Sequence, residues 1–448
     1  MTRKNWRRTP FFRFGLLSDM AVRRARLIWC CAVLLTVSPA AAQTKRAEKE
    51  RPTGDKDSQR EKRSTDDKKG PVDFRSQNFL IHTDLAADDA KQLLERLETM
   101  LELISAYWGR PLSGLIEGYV VNDLANWPPG SIPQEGLPNI VAGAGVTITK
   151  SLSQGVGFVA RAVVYSVANQ GTPQHEAVHA YCGQTFGTTG PVWYSEGMAE
   201  MGKYWCKDDK SVQCYDIVID YLKSNAPKSL NEIVNGKEFT GDSWQNYAWR
   251  WALCHLLANN TNYAAQFRPL GLALLRKEPT SFEQVYGEMA SEIMFEYRFF
   301  LAHLEQGYRA DLCSWDWKKK WRNLKGSATT TATVKADRGW QPSGALVAAG
   351  ATYQYKATGT WRLGKDQPEH RADGAEDGLG RLVAAVLTTE NKDGGQEYVL
   401  GEQFELGTEG TFKAPADGKL QFRCRDAWGQ LADNQGTMTV KLKARGKK

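Results

Sequence analysis

The segment His175-Glu176-Ala177-Val178-His179 constrains this chain more than any other, because its two histidines act together only on a helix. Residues four apart on an α-helix share one face, about one turn apart. His175 and His179 would therefore turn two imidazole nitrogens toward one ion, with Glu176 beside it. A catalytic zinc takes three protein ligands and keeps its fourth position for water. The metal lowers that water's pKa to roughly 7, and a nearby carboxylate takes its proton. Glu176 suits this general-base role. The third ligand must come from a following helix, and Trp193-Tyr194-Ser195-Glu196-Gly197-Met198-Ala199-Glu200 offers Glu196 and Glu200, one turn apart. Gly183, Gly187, Gly190 and Pro191 let the chain turn between the two helices.

His-Glu-x-x-His followed by Trp-x-x-Glu-Gly-x-Ala resembles the gluzincin metallopeptidases, including their aminopeptidase branch. The resemblance rests on residues 175–200 and extends by pattern over roughly Gln77 to His303. It implies that Glu196 is the third zinc ligand, with Glu200 behind the site orienting His175 or His179. It also implies hydrolysis of a peptide or protein substrate, with a Tyr or His after the third ligand donating to the oxyanion; Tyr247 is the candidate. The exopeptidase branch's Gly-x-Met-Glu-Asn motif is missing, which points to an endopeptidase. The strand expected at Val156–Val167 resembles the gluzincin edge strand that receives substrate by strand addition, with Phe158 and Arg161 flanking the groove. His255 reads as a core or supporting histidine, while His82 and His303 carry no motif.

The N-terminus indicates a compartment. Arg23-Arg24-Ala25-Arg26 precedes an apolar run, Leu27 to Val37, and then Ser38-Pro39-Ala40-Ala41-Ala42. This order reads as a signal peptide over 1–42, cleaved after Ala42, with either Met1 or Met20 as the start. The run is shorter than the ~20 residues of a spanning helix, so no stable membrane anchor is expected after cleavage. An exported location follows: periplasmic, cell-surface or secreted. Without residues 1–42, the 58 basic and 51 acidic side chains fall to 50 each. That balance gives no support for nucleic-acid binding. In an oxidising compartment, Cys206 and Cys214, which bracket a polar turn, are the pair expected to form a disulfide.

The rest of the chain divides by composition. Residues 43–70 are dense in charge and nearly free of apolar side chains, as in a disordered linker. A zinc peptidase-like domain is expected over 71–325, opening with a strand at Asn78–Thr83, a helix from Ala86 to Trp108 capped by Asp84, and a strand at Leu115–Val121. Helical patterns then dominate, at 244–259, 264–276 and 282–306 among others. Residues 326–334 read as a second linker, and 335–448 as an all-β module with turn signals at Asp393-Gly394-Gly395 and Asp417-Gly418. This module resembles the calcium-dependent, galactose-binding bacterial lectins. The resemblance implies Ca2+ at Asp426, Asp433 and Asn434 and contact with a glycan, although Arg425 and Asp433 depart from the family's residues. The expected fold class is α+β: a gluzincin-like domain with a mixed sheet and a mainly helical active-site region, then a jelly-roll-like sandwich. The alternative is a catalytically inactive peptidase-like scaffold that binds glycan or a surface. An intact Glu176 argues against it.

Overall fold

The computed structural model describes residues 70–445 except 155, 156, 170, 237–243, 326, 393 and 394, with backbone alone at 151–154, 157–159 and 392. The expected signal peptide, most of the charged linker and the Asp393-Gly394 turn lie outside the described residues. The described chain is mixed α and β, with three sheets and ten α-helices.

The first sheet contains β1 (Val72–Arg75), β2 (Phe79–Thr83), β3 (Ile116–Val121), β4 (Gly145–Gln154) and β5 (Gly157–Val167), in the order β1-β2-β3-β5-β4. β2, β3 and β5 run parallel, while β1 and β4 are antiparallel to their neighbours. Parallel neighbours need a long crossover, and α1 (Ala87–Trp108) supplies it between β2 and β3. Leu93, Leu94, Leu97, Met100, Leu101 and Ile104 of α1 are buried at three- and four-residue spacings. Each contributes about 1.5–3 kcal/mol by leaving water. Asp84 does not cap this helix: the N-cap is Ala86, without a side-chain hydrogen bond. Asp84 instead accepts from the Asn122 and Asp123 amides and from the Asn126 and Trp127 side chains, anchoring the loop after β3. Burial disfavours its charge, but these bonds outweigh that and lower its pKa.

α2 (Leu137–Val141) covers the far face of this sheet, where Trp127, Ile132, Ile140 and Tyr165 form a small cluster. On the near face lie α3 (Thr172–Phe186), α4 (Val192–Tyr204), α5 (Asp216–Ser224), α6 (Leu230–Asn235), α7 (Trp244–Asn259), α8 (Ala264–Leu275), α9 (Phe282–Tyr286) and α10 (Ala290–Ala302). They share one core with α1. The single helix expected over 282–306 is two, separated by a 3-10 turn at Gly287–Met289. His255 is a core residue, stacked on Phe300 at 5.7 Å.

The β module contains β6 (Arg322–Asn323), β7 (Thr329–Lys335), β8 (Gln341–Val347), β9 (Thr352–Arg362), β10 (Glu369–His370), β11 (Leu382–Lys392), β12 (Gly395–Leu400), β13 (Phe404–Glu405), β14 (Glu409–Lys413), β15 (Gly418–Cys424) and β16 (Gln435–Ala444). One sheet runs β10-β9-β16-β7 with β14 on β9; the other runs β12-β11-β15-β8-β6 with β13 on β11. Val334, Trp361, Val386, Phe422, Val440 and other residues from both sheets fill a common core. The expected linker at 326–334 is thus mostly strand: β7 pairs along its length with β16. Its alternating Thr and Ala–Val positions are exposed and buried in turn, so the Thr-rich composition marks a half-buried strand.

β11 is buried on both faces, since Val383, Ala385 and Leu387 pack with Phe295, Trp315 and Trp340 while Leu382, Ala384 and Val386 face the sandwich core. This accounts for its unbroken apolar run. The module is also pegged to the helices by the turn after β15. Leu431 is 1% exposed within the helical core, and Trp428 meets Phe299 edge-to-face and packs against the tilted ring of His303. The Arg423 guanidinium lies 3.6 Å from the Trp428 ring, and burial lowers its pKa to about 10.

The cysteines depart from expectation. All six among the described residues are free thiols; Cys206 is exposed, whereas Cys214 is buried in the helical core. The polar turn between them closes through a Cys206–Asp209 bridge and Asp209 hydrogen bonds, without a disulfide.

Burial lowers the His255 pKa to about 4, and its Nε2 has no hydrogen-bond partner among the described residues. The unfolded chain therefore binds a proton near pH 6.5 that the folded chain refuses until about pH 4. This contribution to stability is full above pH 6.5 and declines as pH falls through that window, by about 3 kcal/mol. Denaturant titrations from pH 7 to 4 should show the loss, and His255→Gln should reduce it, leaving the part due to His303, whose pKa burial also lowers to about 4.

Candidate metal centre

α3 starts after Gly171, whose φ of 76° turns the chain into the helix, and Pro173 sits in its first turn where no N–H is needed. α4 follows the bend at Thr188–Pro191 and crosses α3, so that Glu196 faces the pair His175 and His179. The Nε2 atoms of the two histidines are 3.2 Å apart. Glu196 Oε2 lies 3.3 Å from the first and 3.5 Å from the second. Among the described residues these three form the one cluster of His, Cys, Asp or Glu side chains able to hold a metal. Ligands 2.0–2.1 Å from a tetrahedral zinc sit about 3.3–3.4 Å from one another. The three atoms are spaced accordingly.

The far nitrogens are tethered. His175 Nδ1 is 2.9 Å from Glu200 Oε1, and His179 Nδ1 is 3.2 Å from Ser195 Oγ. Lys203 Nζ approaches Glu200 at 3.3 Å. With Nδ1 donating outward, each Nε2 turns its lone pair to the centre. Three electron-rich atoms converge there, and a cation or a proton has to fill the space. Burial opposes protonation of His175, but hydrogen bonds to Glu196 and Glu200 outweigh it and lift its pKa to about 10. Burial disfavours the Glu196 charge too, yet the two histidines hold its carboxyl well below the usual range.

Glu176 is buried at 7% exposure beside this cluster. Thr147 Oγ1 on β4 lies 2.8 Å from both its backbone oxygen and its Oε2. A Cβ at Gly145 would come within 2.7 Å of Glu176 Cγ, so only glycine leaves room for this side chain. Tyr247 reaches the site from α7, its ring 5.4 Å from that of His175. α7 can approach because Gly197 has no side chain: a Cβ there would meet Cys254 Sγ at 2.4 Å and the Arg250 carbonyl at 2.9 Å. Arg250, buried beside Tyr247, adds positive charge near Glu196, and burial lowers its pKa.

Every residue expected at the metal centre is therefore gathered there, but the edge strand is not the one expected. β5 lies inside the sheet, between β3 and β4. The sheet ends at β4, which the sequence reading passed over although Gly145-Val146-Thr147-Ile148-Thr149 alternates as a half-buried strand should. Arg161, expected to flank the groove, pairs with Glu117 on β3, and the Phe158 side chain lies outside the described residues. Sequence reasoning also missed Thr147, Ser195, Lys203 and Arg250, which carry no motif of their own.

In the β module, Asn434 Nδ2 donates to Asp426 Oδ2 at 2.8 Å, and the buried Asn434 Oδ1 has no hydrogen-bond partner among the described residues. Burial raises the Asp426 pKa, with Asp433 adding to the effect. Asp433 is exposed, its carboxylate lying where a Cβ at Gly364 would come within 3.1 Å.

No family model matches the chain, nor does any curated protein. Solved structures similar to part of it include the EclA N-terminal domain, a PllA-like lectin, at 20% identity, covering 26% of this chain and 96% of that one with a TM-score of 0.21. Another is Aeromonas hydrophila PliG, a periplasmic lysozyme inhibitor of g-type lysozyme, at 10% identity, covering 28% and 96% with a TM-score of 0.16. At these TM-scores neither likeness fixes the fold or the function.

Equilibrium dialysis should find one zinc per chain, bound more tightly as pH rises because metal and proton compete for His175. Glu196→Ala should abolish binding at micromolar zinc, while Glu200→Ala should weaken it about 10–100-fold. The reverse ranking would reassign the third ligand to Glu200.

Proposed function

We propose that this chain is an exported zinc endopeptidase whose first unit is gluzincin-like and whose second is a jelly-roll-like sandwich. The convergence of His175, His179 and Glu196 beside a buried Glu176, next to a sheet edge, carries this reading. A zinc ion held by these three would supply Lewis acidity toward a peptide carbonyl and lower the pKa of a water molecule. The chain's own groups do the rest. An extended peptide adds to the edge of β4, whose Gly145 and Thr147 flank Glu176, and so brings a peptide bond to the base. Glu176 accepts the proton of the attacking water and returns it to the leaving amine nitrogen. Tyr247 donates to the developing oxyanion. Glu200 and Ser195 fix the imidazole orientations. No helix of the described residues is long and apolar enough to cross a membrane.

For the sandwich we propose Ca2+ near Asp426, Asp433 and Asn434, supported by the unpartnered Asn434 Oδ1, and through it contact with a glycan.

Casein hydrolysis by the zinc-loaded full chain tests the enzyme reading. Glu176→Gln should keep its zinc and lose about 10²–10⁴ in kcat, and Tyr247→Phe about 10²–10³. A wild-type protein that binds zinc stoichiometrically yet cleaves neither casein nor a peptide library would leave the inactive-scaffold reading in its place.

A further inference from the structure

The two sheets of the β module have opposite fates. The outer face of the β11-containing sheet is covered by Phe295, Trp315 and Trp340. The outer face of β7, β16, β9 and β14 is exposed and built from threonine and lysine. Thr331, Thr333 and Lys335 on β7 alternate outward with buried Ala332 and Val334. Lys441 and Lys443 on β16 alternate with buried Leu442, and Gln354 and Lys356 on β9 with buried Tyr353 and Tyr355. Cross-strand register places Lys441 opposite both Lys356 and Thr331, and Lys443 opposite Gln354 and Thr329. Lys356, Lys441, Lys443, Glu409 and Thr411 line a shallow groove of about 560 Å³ on this face.

Lysines on edge strands are ordinary protection against unwanted strand pairing. That explains Lys335 on β7 and Lys413 on β14. It does not explain Lys356, Lys441 and Lys443, which sit on the two interior strands. Like charges directly opposite each other destabilise a sheet, and Lys356 and Lys441 are such a pair. Glu409 reaches Lys356 at 3.1 Å, while Lys441 and Lys443 have no acidic partner among the described residues. Five lysines on this face stand against one glutamate, although residues 43–448 as a whole are balanced in charge. An anion laid across the strands would relieve the repulsion. Each flanking threonine adds a hydroxyl that both donates and accepts, which suits a ligand rich in hydroxyl groups. The outward positions of these strands carry no aromatic ring on which a nucleobase could stack.

We propose that this sheet face is a binding surface for an acidic polysaccharide, with Lys356, Lys441 and Lys443 on its anionic groups and the threonine rows on its hydroxyls. The surface is separate from the Asp426–Asn434 turn and from the zinc site, and it would hold the protein on an anionic glycan matrix.

Isothermal titration of the full chain with dextran sulfate, neutral dextran and a duplex DNA oligomer tests this. Dextran sulfate should bind, neutral dextran should not, and DNA should bind at least tenfold more weakly. The triple variant Lys356→Gln, Lys441→Gln, Lys443→Gln should bind dextran sulfate at least tenfold more weakly, with a melting temperature equal to or above wild type. A charge-matched control, Lys91→Gln, Lys207→Gln, Lys223→Gln, should lose less than twofold. Equal loss in the two triple variants, unchanged binding in the first, or DNA binding as tight as dextran sulfate would overturn the proposal.

Discussion

Three electron-rich atoms, Nε2 of His175, Nε2 of His179 and a carboxylate oxygen of Glu196, are held 3.2–3.5 Å apart. Without a proton or a cation between them they would repel, and the surrounding structure holds them in place for either one. It does so from behind, through Glu200 and Ser195 on the outer imidazole nitrogens, and by burial among packed helices. Two missing side chains matter as much as any that are present. Gly145 leaves space for Glu176, and Gly197 lets α7 bring Tyr247 and Arg250 to the site. A methyl group at either would displace Glu176 or the helix.

The same economy of surfaces governs the β module. Its one sheet is consumed by packing: β11 is apolar on both faces, and the turn carrying Trp428 and Leu431 inserts into the helical core. The module therefore does not hang from a linker, and most of the residues expected to form that linker are a paired strand. The opposite sheet keeps a wholly polar outer face. What the module can offer a partner is decided by which sheet was used for docking.

Local order was largely legible. The apolar stripe of α1 and the pattern of α7 define helices at Ala87–Trp108 and Trp244–Asn259, within a residue of expectation, because three- and four-residue spacing is a property of the segment itself. The metal residues were legible for the same reason, since His175 and His179 share a helical face in any fold. Asp84 was misread because a carboxylate before a helix can serve either that helix or a distant loop, and only the return of the chain at Asn122 chose the loop. Cys206 and Cys214 were misread because closeness in sequence does not reveal that one thiol points to solvent and the other into a core.

By itself, then, the sequence determined which residues could share a metal, the helices that carry them, and the division into a helical and a β region. Tertiary structure decided which strand ends the sheet beside Glu176, which residues orient the histidines, and which β face stays in water. The first set depends on spacing within a turn or two of chain, whereas the second depends on strand order and helix crossings. Those are settled only when segments far apart in sequence compete to bury their apolar faces.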